Sequence, residues 1–246
     1  MIHEPSQLLF GFNIYSFLEA NFTTPFILTG CPRISKFVGR DDYIQAIKSF
    51  LLPVTDEGEP KILVLHGVGG IGKTQLAAQF AKSYKDQFSA VFWVNGKTES
   101  ALRTSLAAIV DRIPSATGLN KDELSGDEDS TEMAIRTVIR WLGLSANFRW
   151  LIIFDSIDSQ SQFADKSMDS DSQSPSLAYD IRKYLDLMNH GSIIITSRLS
   201  YMSQLGKGMT ISRVTLDEGL QLLKSINSHI DDEGKDFTVS VTHLTN

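Results

Sequence analysis

Cysteine is almost missing: among 246 residues there is one, Cys31. That excludes an internal disulfide, and one thiol cannot by itself make a zinc site. A reducing, cytoplasmic setting is the expectation that follows. Lysine and arginine are absent before Arg33, so the N-terminus lacks the positive n-region of a secretory signal. Long apolar runs are lacking too. The patch LLFGFNIYSFL at 8–18 is broken by Asn13 and closed by Glu19 and Asn21, far short of a spanning helix. No membrane span is expected, and an amphipathic docking segment or a poorly ordered tail fits 1–32 better. An excess of positive charge is also absent. The formal net charge is -6, and no Lys/Arg cluster forms a basic stripe, which argues against a nucleic-acid surface. The remainder is ordinary globular composition, 42% hydrophobic and 21% charged, in a length that suits one generous domain or a domain plus an appendage.

Strand and helix signals then alternate. Ile44, Ile47, Phe50 and Leu51 share a helical face, with Asp41 or Asp42 placed to cap its first turn. PVTDEGEP (53–60) is turn chemistry. ILVL (62–65) reads as a strand buried on both faces, followed by a glycine-rich loop and a helix with Leu76, Ala77, Phe80, Ala81 and Tyr84 inward. AVFWV (90–94), WLIIF (150–154) and SIIIT (192–196) repeat the strand signal, and a weaker strand is expected around 209–214. Between them, helices are marked by Leu102, Leu106, Ile109 and Ile113; by Ile135, Val138, Ile139 and Leu142; and by Leu177, Ile181, Tyr184, Leu185 and Met188. The acidic stretch 121–130 and the Ser/Asp/Gln-rich stretch 156–176 read as solvated loops. Thr215 and Glu218 have capping-box spacing ahead of Leu216, Leu220 and Leu223. Apolar strands alternating with helices imply an α/β fold, a parallel sheet with helices on both faces.

GVGGIGKT (67–74) fits G-x-x-x-x-G-K-[ST]. A loop that wraps phosphate must turn several consecutive N–H groups inward, which needs φ values that glycine adopts freely. Gly67, Gly69, Gly70 and Gly72 supply them, and the following helix presents its unpaired N–H groups and positive dipole end. Lys73 would reach the β- and γ-phosphates of a purine nucleotide and Thr74 would ligate Mg²⁺. Asp155, at the carboxyl end of LIIFD, is the expected second Mg²⁺ partner; alone, an Asp after a strand is more often a turn former. Arg198, just past SIIITSR, lies on the same rim, placed to sense a γ-phosphate.

Taken in order, these segments resemble the NB-ARC domain of STAND-class P-loop NTPases, of the NOD-like receptor type and most like its fungal members. FVGRDD (37–42) resembles the segment that leads into that domain, LHGVGGIGKTQLA (65–77) its Walker A, and VFWVN (91–95) its first resistance-type strand. WLIIFDSID (150–158) resembles Walker B, GSIIITSR (191–198) the sensor-1 strand, and VTLDEGLQLL (214–223) the helix opening the ARC region. The likeness spans about 33–226. It implies a three-layer sandwich with strand order 2-3-4-1-5. It also implies Phe37, Val38 and Arg40 around the base, ADP or ATP on Gly67, Gly69, Gly70, Ile71, Gly72, Lys73, Thr74 and Gln75, Mg²⁺ on Thr74 and Asp155, and Arg198 on the terminal phosphate. The implied organisation is a weakly structured leader over 1–32, a nucleotide-binding domain over 33–214, and the start of an ARC-like helical part over 215–246 that reads as truncated.

Two departures bear on activity. Many members carry a second acid directly after the Walker B Asp; here Ser156 stands there and the next acid is Asp158, the remaining candidate base. No counterpart of the GLPL or MHD motifs precedes Asn246, and His229 and His243 sit in no matching context. The leading expectation is an ADP/ATP switch module with slow or negligible hydrolysis. An ATPase or kinase with real turnover is the enzymatic alternative, and a receptor fragment that pairs with full-length relatives or with itself is the non-enzymatic one.

Overall fold

A computed structural model describes residues 22–32, 37, 39–52, 54, 58–115, 130–158, 179–215 and 218–221. Val38, Leu177, Leu223, His229 and His243 lie outside them, as do 116–129 and 159–178, which take in most of the two stretches expected to be loops.

The four apolar runs become β1 (Lys61–His66), β2 (Ala90–Asn95), β3 (Trp150–Asp155) and β4 (Ser192–Ser197), while the weak strand expected around 209–214 lies earlier, as the largely exposed β5 (Lys207–Thr210). They form one sheet in the order β2-β3-β4-β1-β5, and every pairing is parallel. This is the expected order. Successive side chains point to opposite faces, so Val91, Trp93, Leu151, Ile153 and Ile194 face one layer while Phe92, Val94, Ile152, Phe154, Ile193 and Ile195 face the other. Burial on both sides is what a central parallel strand needs, and each fully buried Ile or Leu contributes about 1.5–3 kcal/mol.

The first layer is covered by α1 (Asp41–Leu51) and α2 (Lys73–Ser83), through Ile44, Ile47, Leu51, Leu76, Ala77, Phe80 and Ala81. The second is covered by α3 (Glu99–Ala107) and α4 (Ser130–Leu142), with Leu102, Leu106, Ile135, Val138 and Leu142 inward. Three corrections concern helix ends. Neither Asp41 nor Asp42 caps α1: the cap residue is Arg40, left-handed at φ 63, and both aspartates lie in the first turn, where carboxylates meet the positive end of the helix. The helix expected through Ile113 stops at Ala107 and tightens into a 3-10 stretch, Ala108–Arg112, ahead of Pro114. Of the helix expected from Leu177 to Met188, the described part is one turn, α5 (Arg182–Leu185), whose first N–H is held by the Asp180 side chain at 3.0 Å. Ile181, Tyr184, Leu185 and Met188 are buried nonetheless. The periodicity had marked a buried face, which a turning chain satisfies as well as a helix does.

Residues 22–32, expected within a weakly structured leader, pack on the domain. Phe22 and Thr24 are buried, and the Thr24 N–H donates to the Ser89 carbonyl at 2.9 Å. Arg112 ties this segment down. It donates to the carbonyls of Pro25 (2.6 Å), Ile27 (3.1 Å) and Val91 (3.3 Å), with its guanidinium 4.7 Å above the Phe92 ring. At the other end, Thr215 and Glu218 form the expected capping box: the Glu218 carboxylate accepts from Thr215 N at 2.7 Å, and Thr215 Oγ1 accepts from Glu218 N at 3.2 Å. No helix among the described residues is long and apolar enough to cross a membrane.

Candidate functional site

In an open parallel sheet, ligands settle outside the carboxyl ends of the strands. Here the ends of β1, β4, β3 and β2 lie side by side, and a cavity of about 410 Å³ opens over them. Its lining includes Gly69, Gly70, Lys73 and Thr74 from the loop and helix after β1, Thr196 and Arg198 from β4 and the residue after it, and Ser156 and Asp158 after β3.

The glycines are placed by need. Gly67 has φ 147, and a Cβ there would lie 2.7 Å from the Ile211 carbonyl oxygen; Gly72, the cap residue of α2, has φ 100 and sits against the Arg40 guanidinium. The loop therefore ends directly on the helix N-terminus, which has no side-chain cap and whose first residues, Lys73 and Thr74, line the cavity. Lys73 is only 8% exposed, and its ammonium donates to the carbonyls of Gly67 (2.7 Å) and Val68 (2.9 Å). Burial pulls its pKa down, and the neighbouring Asp158 and Asp155 carboxylates pull against that while Arg198 reinforces it. It is a buried cation held by weak acceptors, which a phosphate oxygen would replace with a full negative charge.

Asp155 joins three elements. Its Oδ1 accepts from Thr74 Oγ1 at 2.7 Å and from Thr196 Oγ1 at 2.6 Å, while Thr196 Oγ1 in turn accepts from Ser156 N at 2.9 Å. The donor set of one hydroxyl and one carboxylate fits Mg²⁺, which takes few protein oxygens and keeps phosphate and water as its other ligands. Ser156 has φ 68; among the described residues it and Arg40 are the non-glycine residues with positive φ, and both border this site. Strain of that kind gathers where function demands a particular geometry.

Arg198 and Asp158 are found paired. Asp158 accepts from Arg198 N at 2.6 Å and from its Nε at 2.7 Å, so the candidate base and the candidate sensor occupy each other. The arginine side chain is 63% exposed. On the far side of the loop Arg40 is buried. Its Nη2 donates to the Ser212 carbonyl at 3.2 Å and its backbone N–H to Glu218 at 3.3 Å, while Nη1, beside Gly72, is buried with no hydrogen-bond partner. Phe37 and Ile71 pack against the core of the α1–α2 layer, and Gln75 is exposed at the start of α2. Sequence reasoning missed Thr196 and Lys97. The first was signalled only by a polar residue closing an apolar strand, and the second by nothing local.

Fold and site together define a P-loop NTPase. A profile of the AAA ATPase domain matches residues 36–185, more than half of the chain, and the chain belongs to that family. A nucleotide-binding leucine-rich repeat (NLR)-like protein from the fungus Hyaloscypha variabilis is 27% identical over 222 residues, covering 86% of this chain and 21% of its own length. The chain thus spans about a fifth of that relative. Among solved structures, the Aeropyrum pernix ORC2 protein in its ADPNP-ADP complexes is 18% identical, covering 80% of this chain and 54% of its own at a TM-score of 0.50. Cdc6p from Pyrobaculum aerophilum is 12% identical, with 83% and 52% covered and a TM-score of 0.49. The ORC2 match supports the fold.

Proposed function

We propose that this chain is the nucleotide-binding domain of a STAND-class switch protein of the NB-ARC, NOD-like receptor type, taking ADP or ATP with Mg²⁺ and hydrolysing ATP slowly. The observation that carries the reading is the network joining the P-loop helix, β3 and β4 through Thr74, Asp155 and Thr196, with Lys73 waiting on two carbonyls beside it. The similarity to an NLR-like protein supports the signalling half. Lys73 and the loop N–H groups would hold the β- and γ-phosphates, and Thr74 and Asp155 the metal, whose chemistry is to draw charge from the phosphate oxygens. Arg40, with its unpartnered Nη1 against Gly72, would border the base side together with Phe37 and Val38.

Slow turnover follows from the acids. Ser156 occupies the position after Asp155 and a hydroxyl is a poor base, while Asp158 has both oxygens engaged by Arg198. The enzymatic reading rests on Asp158 lining the cavity. Steady-state phosphate release separates the two: turnover in the ordinary enzyme range, about 1–1000 s⁻¹, would overturn the switch reading. The nucleotide that copurifies with the native protein and is released by heat tests the site itself. Assembly with its own copies or with longer relatives in the cytoplasm belongs to the same reading, and native mass measurement with and without nucleotide tests it.

A further inference from the structure

The turn after β2 reaches the same cavity. Lys97 lines it beside Lys73, Thr74, Asp158 and Arg198, although it comes from the sheet's edge strand, two strands removed from β1's neighbour β4. The turn is built rather than loose. Asn95 Oδ1 accepts from Lys97 N at 3.1 Å, Gly96 N donates to the Asp155 carbonyl at 2.7 Å, and the Tyr179 hydroxyl donates to the Gly96 carbonyl at 2.6 Å. Gly96 packs so closely on the segment after β3 that a Cβ would lie 2.0 Å from Ile157 Cδ1. The backbone carrying Lys97 is therefore bonded directly to the backbone of Asp155.

Three cations face this cavity, and they differ in what holds them. Lys73 is bonded to two carbonyls and Arg198 to the Asp158 carboxylate. Among the described residues, neither a carboxylate nor a carbonyl holds the Lys97 ammonium. Its position gives it a direction as well. Arg40 and Ser212 flank the P-loop on the β5 side, and Lys97 stands at the opposite end, past β4 and β3. A phosphate chain that enters from the Arg40 side and passes over Gly69, Gly70 and Lys73 points its last phosphate toward Lys97.

Resting on the nucleotide-binding reading, we propose that Lys97 is a specificity residue that reads the terminal phosphate of a nucleoside triphosphate and separates it from the diphosphate. A diphosphate ends over Lys73 and does not reach it. A triphosphate adds a γ-phosphate, which Lys73 shares with the side of the cavity that Lys97 lines. Because Lys97 is an exposed side chain, water screens it, and its contribution to discrimination is roughly tenfold rather than the larger factors of buried ion pairs.

The test is calorimetry on the full chain with Mg²⁺, titrating ADP and the non-hydrolysable β,γ-imido analogue of ATP into the parent, Lys97→Ala and Lys97→Arg. The expected result is an approximately tenfold loss of analogue affinity in Lys97→Ala, less than twofold for ADP, and recovery of most of the loss in Lys97→Arg. Equal losses for the two nucleotides, or no loss for either, would overturn the assignment while leaving the site intact. A parent that binds neither nucleotide would instead overturn the nucleotide-binding reading and this one with it. Matching melting curves of the variants without nucleotide exclude a folding defect as the cause.

Discussion

Replacing Lys73 by methionine separates what this residue does for the fold from what it does for a ligand. The side chain is 8% exposed and its ammonium makes two charge-assisted bonds, at 2.7 and 2.9 Å. Such bonds are worth about 1.5–3 kcal/mol each. Burying the ammonium opposes them with a penalty of similar size, which the downward pull of burial on its pKa reflects. Methionine fills the same stem volume without a charge to bury. Stability without nucleotide should therefore change by only about 1 kcal/mol in either direction. Binding has no such compensation. The β-phosphate of ADP loses its cation, and a loss of about 3 kcal/mol corresponds to more than a hundredfold in affinity. Thermal melting reads both effects in one experiment. With ADP at a hundred times the parent's Kd, the parent gains about 2.7 kcal/mol, a rise of roughly 5–10 °C for a chain of this size. The variant at the same ADP concentration sits near its own Kd and gains about 0.4 kcal/mol, or roughly 1 °C. Equal nucleotide-induced shifts in the two proteins would refute the assignment of the site.

Other outcomes follow from particular contacts. Ser156→Asp should raise phosphate release: the position faces the cavity, and aspartate tolerates the left-handed backbone that Ser156 adopts at φ 68. A rate unchanged in that variant, with nucleotide still bound, would count against the missing acid as the cause of slow turnover. Arg112→Leu should cost about 2–4 kcal/mol in urea unfolding, since three backbone carbonyls lose their donor, and it should open 22–31 to limited proteolysis; protection equal to the parent's would show that Phe22 and Thr24 suffice. Glu218 has its pKa lowered, first by the Thr215 N–H and also by the Arg40 N–H. A carboxylate depressed in the folded state stabilises fully above its unfolded pKa and loses that contribution as pH falls through the folded value. The stability difference between parent and Glu218→Gln should therefore be present at pH 7 and vanish on acidification below the ordinary carboxyl range of about 4. A difference that persists at pH 2 would assign it to shape rather than charge.

What could be read from the sequence was what a single segment decides. GVGGIGKT announces itself because a phosphate-wrapping backbone needs glycine at fixed places, and Gly67 and Gly72 adopt φ values that few other residues would accept. Four of the five strands were legible because burial on both faces leaves unbroken apolar runs, whereas β5, largely exposed, gave only a weak signal a few residues too late. The Thr215–Glu218 box was legible because its two partners are three residues apart. The strand order came from family resemblance, since nothing in Ser192–Ser197 says that it pairs between β3 and β1. Helix ends failed where the cap was unconventional: Arg40 is no N-cap by composition, and it takes that place because its guanidinium and N–H are held by Ser212 and Glu218, more than 170 residues away.

The same division runs through the site. Lys73 and Thr74 declare their roles by spacing, because both belong to one turn of one helix. The roles of Thr196, Asp158, Arg198 and Lys97 depend on which strand ends are neighbours and in what register. Phe154 pairs with Ile195, which brings Asp155 beside Thr196, and Asn95 pairs with Asp155, which brings the Lys97 turn to the same rim. A parallel sheet stacks the carboxyl ends of strands far apart in sequence, so each contributes one polar residue to a common crevice. Each such residue looks like an ordinary turn former in isolation. The chemistry of this rim is thus a property of the pairing, and a shift of β3 or β4 by one residue, which would turn Asp155 or Thr196 to the opposite face, would dismantle it while leaving the P-loop sequence untouched.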